Sequence, residues 1–239
     1  MLHKNDFIQK EGFYMSIYAM SDLHLSFGCD KPMDIFGWEN YTQRIKANWC
    51  RLIKPEDTLI MAGDFSWGLK LEETLEDFKF IESLPGKKIF LKGNHDLWWS
   101  TLSKTKKFLE ENDINSVDFI FNNAIVCEKF AICGTRGWLF SSKESDKKII
   151  SREAARLDTS LSEAVKTGFE PLVFMHFPPA YGEEKNEEII NILKKHNVKT
   201  VYYGHIHGKG LNNEISQIEG IKLKLISCDC LDFTPYLIF

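Results

Sequence analysis

Gly93-Asn94-His95-Asp96 directly follows the apolar run Ile89-Phe90-Leu91 and Lys92. A short β-type run that breaks into Gly-Asn predicts the C-terminal end of a buried strand. This is where α/β folds place their chemistry. Asn and His can each offer a neutral atom to a metal ion, and a carboxylate can orient an imidazole. Taken alone, the stretch fits an ordinary turn equally well, so the rest of the chain decides its meaning.

Four further blocks of the same kind occur, each at the end of an apolar run. The chain has seven histidines, and only His3 and His196 lie outside these blocks, where we expect surface positions. If the segments are extended, alternation places Asp22 with His24, and His205 with His207, on one face. Gly63 would allow the sharp turn that brings Asp64 to a strand end. The blocks contain Asp22 and His24 after 16–20, Asp64 after 58–62, His176 after 171–175, and His205 and His207 after 200–203.

The intervening segments predict an α/β arrangement. Apolar residues at helical spacing predict helices over 39–53, 71–84, 98–111, 146–166 and 184–196. Short links between alternating strands and helices favour a largely parallel sheet. The middle differs, because 118–121, 124–127 and 130–133 are short β-type runs that predict a hairpin or meander. We expect one domain over 15–239.

Composition excludes several function classes. The 239 residues are 44% hydrophobic and 27% charged, and the formal net charge of −4 argues against a nucleic-acid partner. No apolar run reaches the roughly 18 residues of a membrane span. The polar N-terminus is not a secretory signal, and scattered cysteines without such a signal predict a reducing, cytoplasmic location. Cys228 and Cys230 are expected as small residues on alternate faces of a strand.

Residues 1–14 look dispensable, because the first convincing strand begins directly after Met15. Lys10-Glu11-Gly12 can be encoded by a purine-rich stretch that resembles a bacterial ribosome-binding site. We therefore expect Met15 to be the natural start and residues 1–14 to be an artefact. Mass spectrometry of the protein from its native source would test this, and an intact leader would contradict it.

Five blocks of Asp, His and Asn at strand ends predict one site with two divalent metal ions. The donors are oxygen and nitrogen, which suits Mn, Fe, Zn or Co better than a thiolate-bound or purely calcium site. Mn is expected, with Fe, Zn, Ni or Co as alternatives. A carboxylate such as Asp64 can bridge two ions about 3.5–4 Å apart, and such a pair activates water and orients a phosphoryl group.

At this point the sequence resembles the calcineurin-like metallophosphoesterase superfamily, in its compact bacterial phosphohydrolase form. The family pattern is Asp-x-His, Gly-Asp, Gly-Asn-His-Asp or -Glu, a lone His, and Gly-His-x-His. All five blocks are present in order between Asp22 and His207. The resemblance implies a sandwich of two mixed β-sheets flanked by helices, with the site at the C-terminal ends of the strands.

The resemblance also implies roles for individual residues. Asp64 would bridge the ions, and a metal-bridging hydroxide would attack the phosphorus in line. His95 would be the general acid for the leaving alkoxide, and Asp96 would hold its ring. The first ion would be held by Asp22, His24, Asp64 and His207, and the second by Asp64, Asn94, His176 and His205.

Departures from the family pattern narrow the expected substrate. The Ser/Thr protein phosphatases carry an Arg after Gly-Asp, which Gly63–Gly68 lacks, so a small phosphomonoester or phosphodiester is expected. Arg136, in Gly134-Thr135-Arg136-Gly137-Trp138, is a candidate phosphate clamp beside Asn94, with a structural arginine as the alternative. One of Trp67, Trp98, Trp99 and Trp138 could stack on a leaving group, although core packing is expected for most.

Three alternatives stay open. A nuclease on the same fold is disfavoured by the acidic net charge. A non-catalytic scaffold is disfavoured because every ligand position is filled. A pyrophosphatase acting on a lipid-linked nucleotide would need an apolar, membrane-facing patch, for which Phe27, Phe36, Trp138 and Phe140 are candidates. The sequence does not predict the oligomeric state.

Overall fold

The structure, a computed structural model, describes residues 15–138 and 144–239, with the backbone alone for 144 and 145. The helices there are α1 (Tyr41–Leu52), α2 (Leu75–Glu82), α3 (Leu102–Glu111), α4 (Glu144–Lys166) and α5 (Glu187–Lys195). The strands are β1 (Ile17–Met20), β2 (Thr58–Met61), β3 (Lys87–Phe90), β4 (Val117–Phe119), β5 (Ile125–Cys127), β6 (Phe130–Thr135), β7 (Glu170–Met175), β8 (Ala180–Tyr181), β9 (Glu184–Lys185), β10 (Thr200–Tyr203), β11 (Gln217–Ile218), β12 (Ile221–Leu225) and β13 (Tyr236–Leu237). Residues 1–14, including His3, and Phe140 lie outside the described residues.

The first sheet has five strands in the order β13-β1-β2-β3-β4. Strands β1 to β4 are mutually parallel, and β13 adds an antiparallel edge. Helices α1, α2 and α3 connect the parallel strands, as a parallel pair requires. The prediction of a largely parallel sheet is confirmed here.

The second sheet has six strands in the order β11-β12-β10-β7-β6-β5. Strands β12, β10, β7 and β6 are parallel, and β11 and β5 are antiparallel edges. Both sheets are therefore mixed, with four parallel strands each. The C-terminal ends of each parallel set meet at one edge of its sheet.

Three apolar clusters show the layers. One contains residues of α1 and α2 and the outer side of the first sheet, for example Trp49, Phe78 and Phe90. The second joins α4 and α5 to the second sheet. The third lies between the sheets and includes Ala19 and Phe174, both fully buried. This is the expected sandwich of two mixed sheets flanked by helices.

The helices lie close to their predicted bounds, with three differences. The 71–84 segment begins with a 3-10 turn at Leu71–Thr74, and only Leu75–Glu82 is α-helical. The third helix begins at Leu102, where Thr101 caps its N-terminus. The fifth begins at Glu187 after the Asn186 cap, because residues 184 and 185 pair as β9 with β8. Along α4 the predicted apolar stripe is buried: Ile150, Ala154, Leu157, Leu161 and Ala164.

The predicted hairpin or meander over 118–133 is confirmed for its last two runs and wrong for the first. β5 and β6 form the expected antiparallel hairpin, but β4 lies in the other sheet, parallel to β3. Helix α3 supplies the crossover that lets β4 return beside β3. The Asn122-Asn123 turn then carries the chain between sheets, with Asn122 at φ 60° and the Asn123 side chain accepting from Phe121 N at 2.6 Å.

Across the described residues, no helix combines the length and the apolar character needed to cross a bilayer.

Candidate metal centre

The predicted site residues all follow parallel strands at their C-terminal ends. In the first sheet Asp22 follows β1, Asp64 follows β2 and Asn94 follows β3. In the second sheet His176 follows β7, and His205 and His207 follow β10. The hydrogen bond from Gly204 N to the carbonyl of His176 (3.1 Å) shows that the two histidine loops of the second sheet lie side by side.

Two groups of side chains can each hold a metal ion. Asp22, His24 and His207 offer donor atoms within 4.8 Å of one another, and so do Asp64, His176 and His205. Each group joins residues that follow strands of both sheets. Compared with the predicted ligand sets, the first group lacks Asp64 and the second group lacks Asn94.

Asp64 belongs to the second group and also lies close to the first. Its Oδ2 is 3.9 Å from His24 Nε2 and 3.4 Å from His176 Nε2. Asn94 Oδ1 is 2.7 Å from His176 Nε2, so the amide belongs to the second group. The carboxylate of Asp64 is thus placed to serve both groups, and Asn94 to serve one.

The backbone brings these ligands together by left-handed turns. Asp22 (φ 61°), His24 (φ 46°), Asp64 (φ 53°) and His205 (φ 71°) all have positive φ. The reasoning from alternation along an extended segment is therefore wrong, although the ligands do converge. Non-glycine residues in this region each cost on the order of 1–2 kcal/mol, and such strain concentrates at functional sites.

Two glycines allow the loops to approach. Gly63 has φ +99°, as the predicted sharp turn requires. A Cβ on Gly93 would lie 2.1 Å from Asp64 Oδ1 and 2.2 Å from Asp64 N. Only glycine therefore lets the loop after β3 lie against the carboxylate of Asp64.

Hydrogen bonds around the ligands set their orientation. His176 Nδ1 is 3.0 Å from the carbonyl of Ala62, which leaves Nε2 facing the site. His207 Nδ1 is 2.8 Å from Asp229 Oδ1. Such outer partners fix the imidazole tautomer and raise the basicity of the ligand. Ser227 Oγ donates to Asp22 Oδ2 at 2.9 Å.

Asp229 was missed by sequence reasoning, although a signal was available. It follows β12, a parallel strand of the second sheet, as the predicted ligands follow theirs. The neighbouring cysteines were expected in a strand, but they lie in a turn. Cys228 Sγ donates to the carbonyl of Asp22 at 2.9 Å, so the turn packs directly beneath the first group.

The donor atoms fit divalent metal ions. Within the described residues, His24 Nδ1 and His207 Nε2 are buried without a hydrogen-bond partner. Burial lowers the pKa of His24 to about 4, and burial with the charge of His176 lowers that of His205 to about 4, so both are neutral donors. Burial alone would raise the pKa of Asp22, but the imidazoles of His207 and His176 hold it well below its usual range. Despite burial, Asp64 raises the pKa of His176 to about 9 and Asp22 raises that of His207 to about 10, so these two imidazoles would release a proton when a metal ion binds. Carboxylates and imidazoles form a suitable oxygen and nitrogen set.

Asp96 has a different role from the predicted one. Its carboxylate is fully buried and accepts from Gly93 N (2.7 Å), Asp64 N (2.9 Å), Phe65 N (2.9 Å) and Trp98 Nε1 (3.0 Å). Over residues 15–138 and 144–239, no hydrogen bond joins it to the His95 ring. Asp96 instead ties the Asp64 loop to the His95 loop.

His95 stands at the mouth of the site. It is half-buried and lines a cavity of about 440 Å³ together with His24, His207 and Asp229. Its backbone N donates to Asp64 Oδ1 at 2.8 Å, which fixes its position beside the ligands. Its ring lies 4.4 Å from that of Trp67, and burial lowers its pKa.

The tryptophans have structural roles for the most part. Trp98 and Trp99 pack in or against the outer core of the first sheet, as expected. The Trp67 ring stacks on His24 at 4.6 Å, and Lys31 Nζ lies 3.1 Å from its centroid. Trp67 is therefore engaged within the protein and buttresses a predicted ligand.

Arg136 lies beside the site, and its side chain contacts the carboxylate of Glu153. Its Nη2 is 3.5 Å from Glu153 Oε1, and its guanidinium lies 5.0 Å from the Trp138 ring. Its carbonyl accepts from the N–H groups of His176 (3.2 Å) and Phe177 (2.8 Å).

His196, expected at the surface, is half-buried, with Nε2 2.6 Å from Asp158 Oδ1.

Comparison with solved structures finds matches of low sequence identity. One is AQ665 of Aquifex aeolicus, a protein of unknown function, with 19% identity, a TM-score of 0.52, and 93% of this chain and 95% of that chain covered. Another is the phosphopantetheinyl hydrolase PptH of Mycobacterium tuberculosis, with 15% identity, a TM-score of 0.49, and 90% and 89% covered. No curated protein matches the sequence.

A family model gives the assignment. The model of the calcineurin-like phosphoesterases matches residues 15–209, which include all five motif blocks and both ligand groups. The match covers most of the chain and agrees with the architecture of two sheets and with the donor set at their edge. The chain is a phosphoester hydrolase and belongs to the calcineurin-like phosphoesterase family.

Proposed function

We propose that the protein hydrolyses a small phosphomonoester or phosphodiester by in-line attack of water, with two divalent metal ions bound. The observation that carries this proposal is the pair of ligand groups beside an open cavity lined by His95. Asp64 belongs to one group and lies close to the other. A lone metal site would need only one such group. The six cysteines are free thiols, which supports a cytoplasmic location.

The residues proposed to hold the ions are those of the two groups, with Asp64 shared and Asn94 added to the second. Manganese is the expected metal, with iron, zinc, nickel or cobalt as alternatives for the same donors. When bound, such a pair supplies Lewis acidity and lowers the pKa of a coordinated water. The protein holds the donor imidazoles in place, because His207 Nδ1 is hydrogen-bonded to the Asp229 carboxylate and His176 Nδ1 to the carbonyl of Ala62.

We propose that His95 donates a proton to the leaving alkoxide. Its ring reaches the cavity while its backbone is fixed to Asp64 Oδ1, so its position relative to the ligands is defined. An imidazole can carry a transferable proton near neutral pH, and the negative charge of a bound phosphate favours the protonated form. Asp96 acts as a positioning residue, because it fixes both loops that carry His95 and Asp64.

The decisive experiment measures hydrolysis of p-nitrophenyl phosphate and bis-p-nitrophenyl phosphate by metal-stripped protein. Mn, Ni, Fe, Zn and Mg are added back separately. We expect metal-dependent turnover that is lost in Asp64→Ala. With an alkyl ester such as glycerol phosphate as a third substrate, His95→Ala should be slower about 10²- to 10⁴-fold, because an alkoxide needs a proton to leave; the loss with the nitrophenyl esters should be smaller. His196→Ala, which removes a histidine paired with Asp158 outside the site, is the matched control and should retain activity.

Two results would contradict the proposal. If no metal binds, the ligand assignment fails. If two ions bind but His95→Ala hydrolyses the alkyl ester at the wild-type rate, the role of His95 fails. The ratio of diester to monoester turnover decides between phosphodiesterase and phosphatase.

A specific observation favours a second candidate, hydrolysis of a lipid-linked phosphate compound. Phe36 lines the cavity that holds His95, and Leu69 and Leu97 line an adjoining one of about 580 Å³. Their exposed fractions are 60%, 65% and 62%. Exposed apolar side chains that cluster in this way mark contact surfaces. Co-sedimentation with phospholipid vesicles tests this candidate, and protein that stays in the supernatant contradicts it.

A further inference from the structure

A second concavity lies at the same end of the sandwich as the metal centre. Its volume is about 200 Å³, and its walls come from the ends of β3 and β6, the Asn122 turn and one face of α4. Four cationic side chains line it: Lys92, Arg136, Arg152 and Arg156. We call these four residues and Glu153 the basic pocket.

One carboxylate serves three of the cations. Glu153 is fully buried, and its Oε1 lies 2.7 Å from Arg156 Nη1, 3.5 Å from Arg136 Nη2 and 3.7 Å from Arg152 Nε. Its Oε2 accepts from Thr135 Oγ1 at 2.7 Å. A single ion pair would suffice to fasten α4 to β6. The remaining positive charges repel one another, so the arrangement is better balanced with an anion present.

The cations keep unused hydrogen-bonding capacity. Arg136 Nε is buried without a partner among the residues described, and Lys92 Nζ forms no hydrogen bond or ion pair there. The guanidinium planes are nevertheless held, because Arg136 lies over Trp138 (5.0 Å) and Arg156 over Phe121 (5.7 Å). Preoriented guanidinium groups match the geometry of phosphate and carboxylate oxygens.

The basic pocket is coupled in position to the metal centre. Lys92 directly precedes the Gly93–Asp96 loop, and the carbonyl of Arg136 accepts from the N–H of the predicted ligand His176. The pocket and the metal centre therefore adjoin the same two loops, which is the arrangement that a substrate with two anionic groups would need.

We propose that the basic pocket binds a second anionic group of the substrate, a phosphate or a carboxylate. This rests on the proposed function for the scissile phosphate. It restricts the substrate class to phosphoesters that carry another negative group on the leaving or retained part. It also explains why Arg136 is beside the site but not among the residues at the cavity of His95.

The first test measures binding of inorganic phosphate to metal-free protein by calorimetry, in the presence of a chelator. The variant Lys92→Gln/Arg152→Gln removes the two cations least engaged with Glu153, so Arg136 and Arg156 still neutralise that carboxylate. We expect at least a tenfold loss of phosphate affinity. Lys166→Gln/Lys195→Gln removes two exposed cations elsewhere and should bind phosphate as the wild type does. Equal affinity in all three proteins would overturn the proposal.

The second test asks whether the pocket serves the substrate. Methylphosphonate, phosphonoacetate, 3-phosphonopropionate and 4-phosphonobutyrate are compared as inhibitors of bis-p-nitrophenyl phosphate hydrolysis by the metal-loaded enzyme. We expect one phosphonocarboxylate to inhibit at least tenfold more strongly than methylphosphonate, because its second group binds intramolecularly. The advantage should disappear in Lys92→Gln/Arg152→Gln.

Inhibition that is equal for all four compounds, with phosphate binding intact, would assign the pocket to a free anion and overturn its role in substrate binding. Failure of the proposed function is distinguishable, because an inactive enzyme gives no turnover with any metal. The phosphate titration then still reports on the pocket, since it needs neither metal nor catalysis.

Discussion

Replacing Asp229 by Asn should weaken metal binding without touching a ligand. Asp229 Oδ1 lies 2.8 Å from His207 Nδ1, and the opposite nitrogen, Nε2, is buried and lies 3.3 Å from Asp22 Oδ1. The carboxylate therefore holds the ring so that Nε2 faces the first ligand group. An Asn can still accept from Nδ1–H, but it lacks the charge that increases the basicity of the imidazole.

The expected magnitude follows from this contact. Loss of an outer carboxylate typically lowers metal affinity about 10- to 100-fold, and the retained amide oxygen places Asn near the lower value. A tenfold loss lowers the stabilisation by saturating metal by about 1.4 kcal/mol. For a chain of this size that lowers the unfolding temperature by about 3–6 °C.

The assay is a competition titration with a chromophoric chelator, followed by thermal unfolding with and without metal. Asp232→Asn is the matched control, because it removes the same charge three residues later, where the side chain is 88% exposed and pairs with Arg44. We expect the unfolding temperature of Asp229→Asn to fall only in the metal-loaded protein. Wild-type metal affinity in this variant, or an equal fall without metal, would refute the role assigned to Asp229.

Three further predictions concern catalysis, packing and pH. His95→Ala should still bind two metal ions while kcat falls about 10²- to 10⁴-fold, as measured by metal analysis and steady-state kinetics. Gly93→Ala should destabilise the fold by about 1–3 kcal/mol in urea unfolding and lose metal binding, because its Cβ would lie 2.1 Å from Asp64 Oδ1. Gly220→Ala, at φ +84° with open space around it, is a comparison in which the added Cβ meets no atom, and it should retain metal binding. Burial raises the pKa of Asp77 to about 6, so its contribution to stability is complete below about pH 4 and is lost as the pH rises through 6. The whole loss is about 3 kcal/mol, of which about 1.4 kcal/mol falls between pH 5 and pH 7.5. This part should be absent in Asp77→Asn when urea unfolding is compared at those two pH values; parallel pH dependence of the two proteins would contradict it.

The sequence was sufficient to predict where the site lies. Apolar runs mark buried strands, and parallel strands present their C-terminal ends on one edge of a sheet, so polar residues directly after such runs converge. The structure has Asp64 and His176 at such strand ends, as this pattern predicts. Applied to the run at 221–226, it would also have located Asp229, which was overlooked because that strand carries no motif of its own.

Side-chain directions could not be predicted in the same way. Asp22 and His24 converge through left-handed turns, whereas the sequence argument assumed an extended segment. Asp96 directly follows His95 in sequence, yet the carboxylate of Asp96 accepts from the backbone N–H groups of Gly93 and Asp64. Such choices depend on how loops from separate strands pack, and local spacing carries no information on that.

The distribution of ligands over the two sheets gives metal binding a structural consequence. Asp22 and His24 follow a strand of the first sheet, but their partner His207 follows a strand of the second. In the other group, Asp64 comes from the first sheet and His176 from the second. An ion held by either group would therefore connect the sheets across the end of the apolar layer between them. Several of the predicted ligand residues have positive φ, a conformation that costs free energy. The surrounding contacts must offset this cost before a metal ion can use the arrangement. Metal binding would thus assemble the site and, by the same contacts, connect the two sheets at this edge.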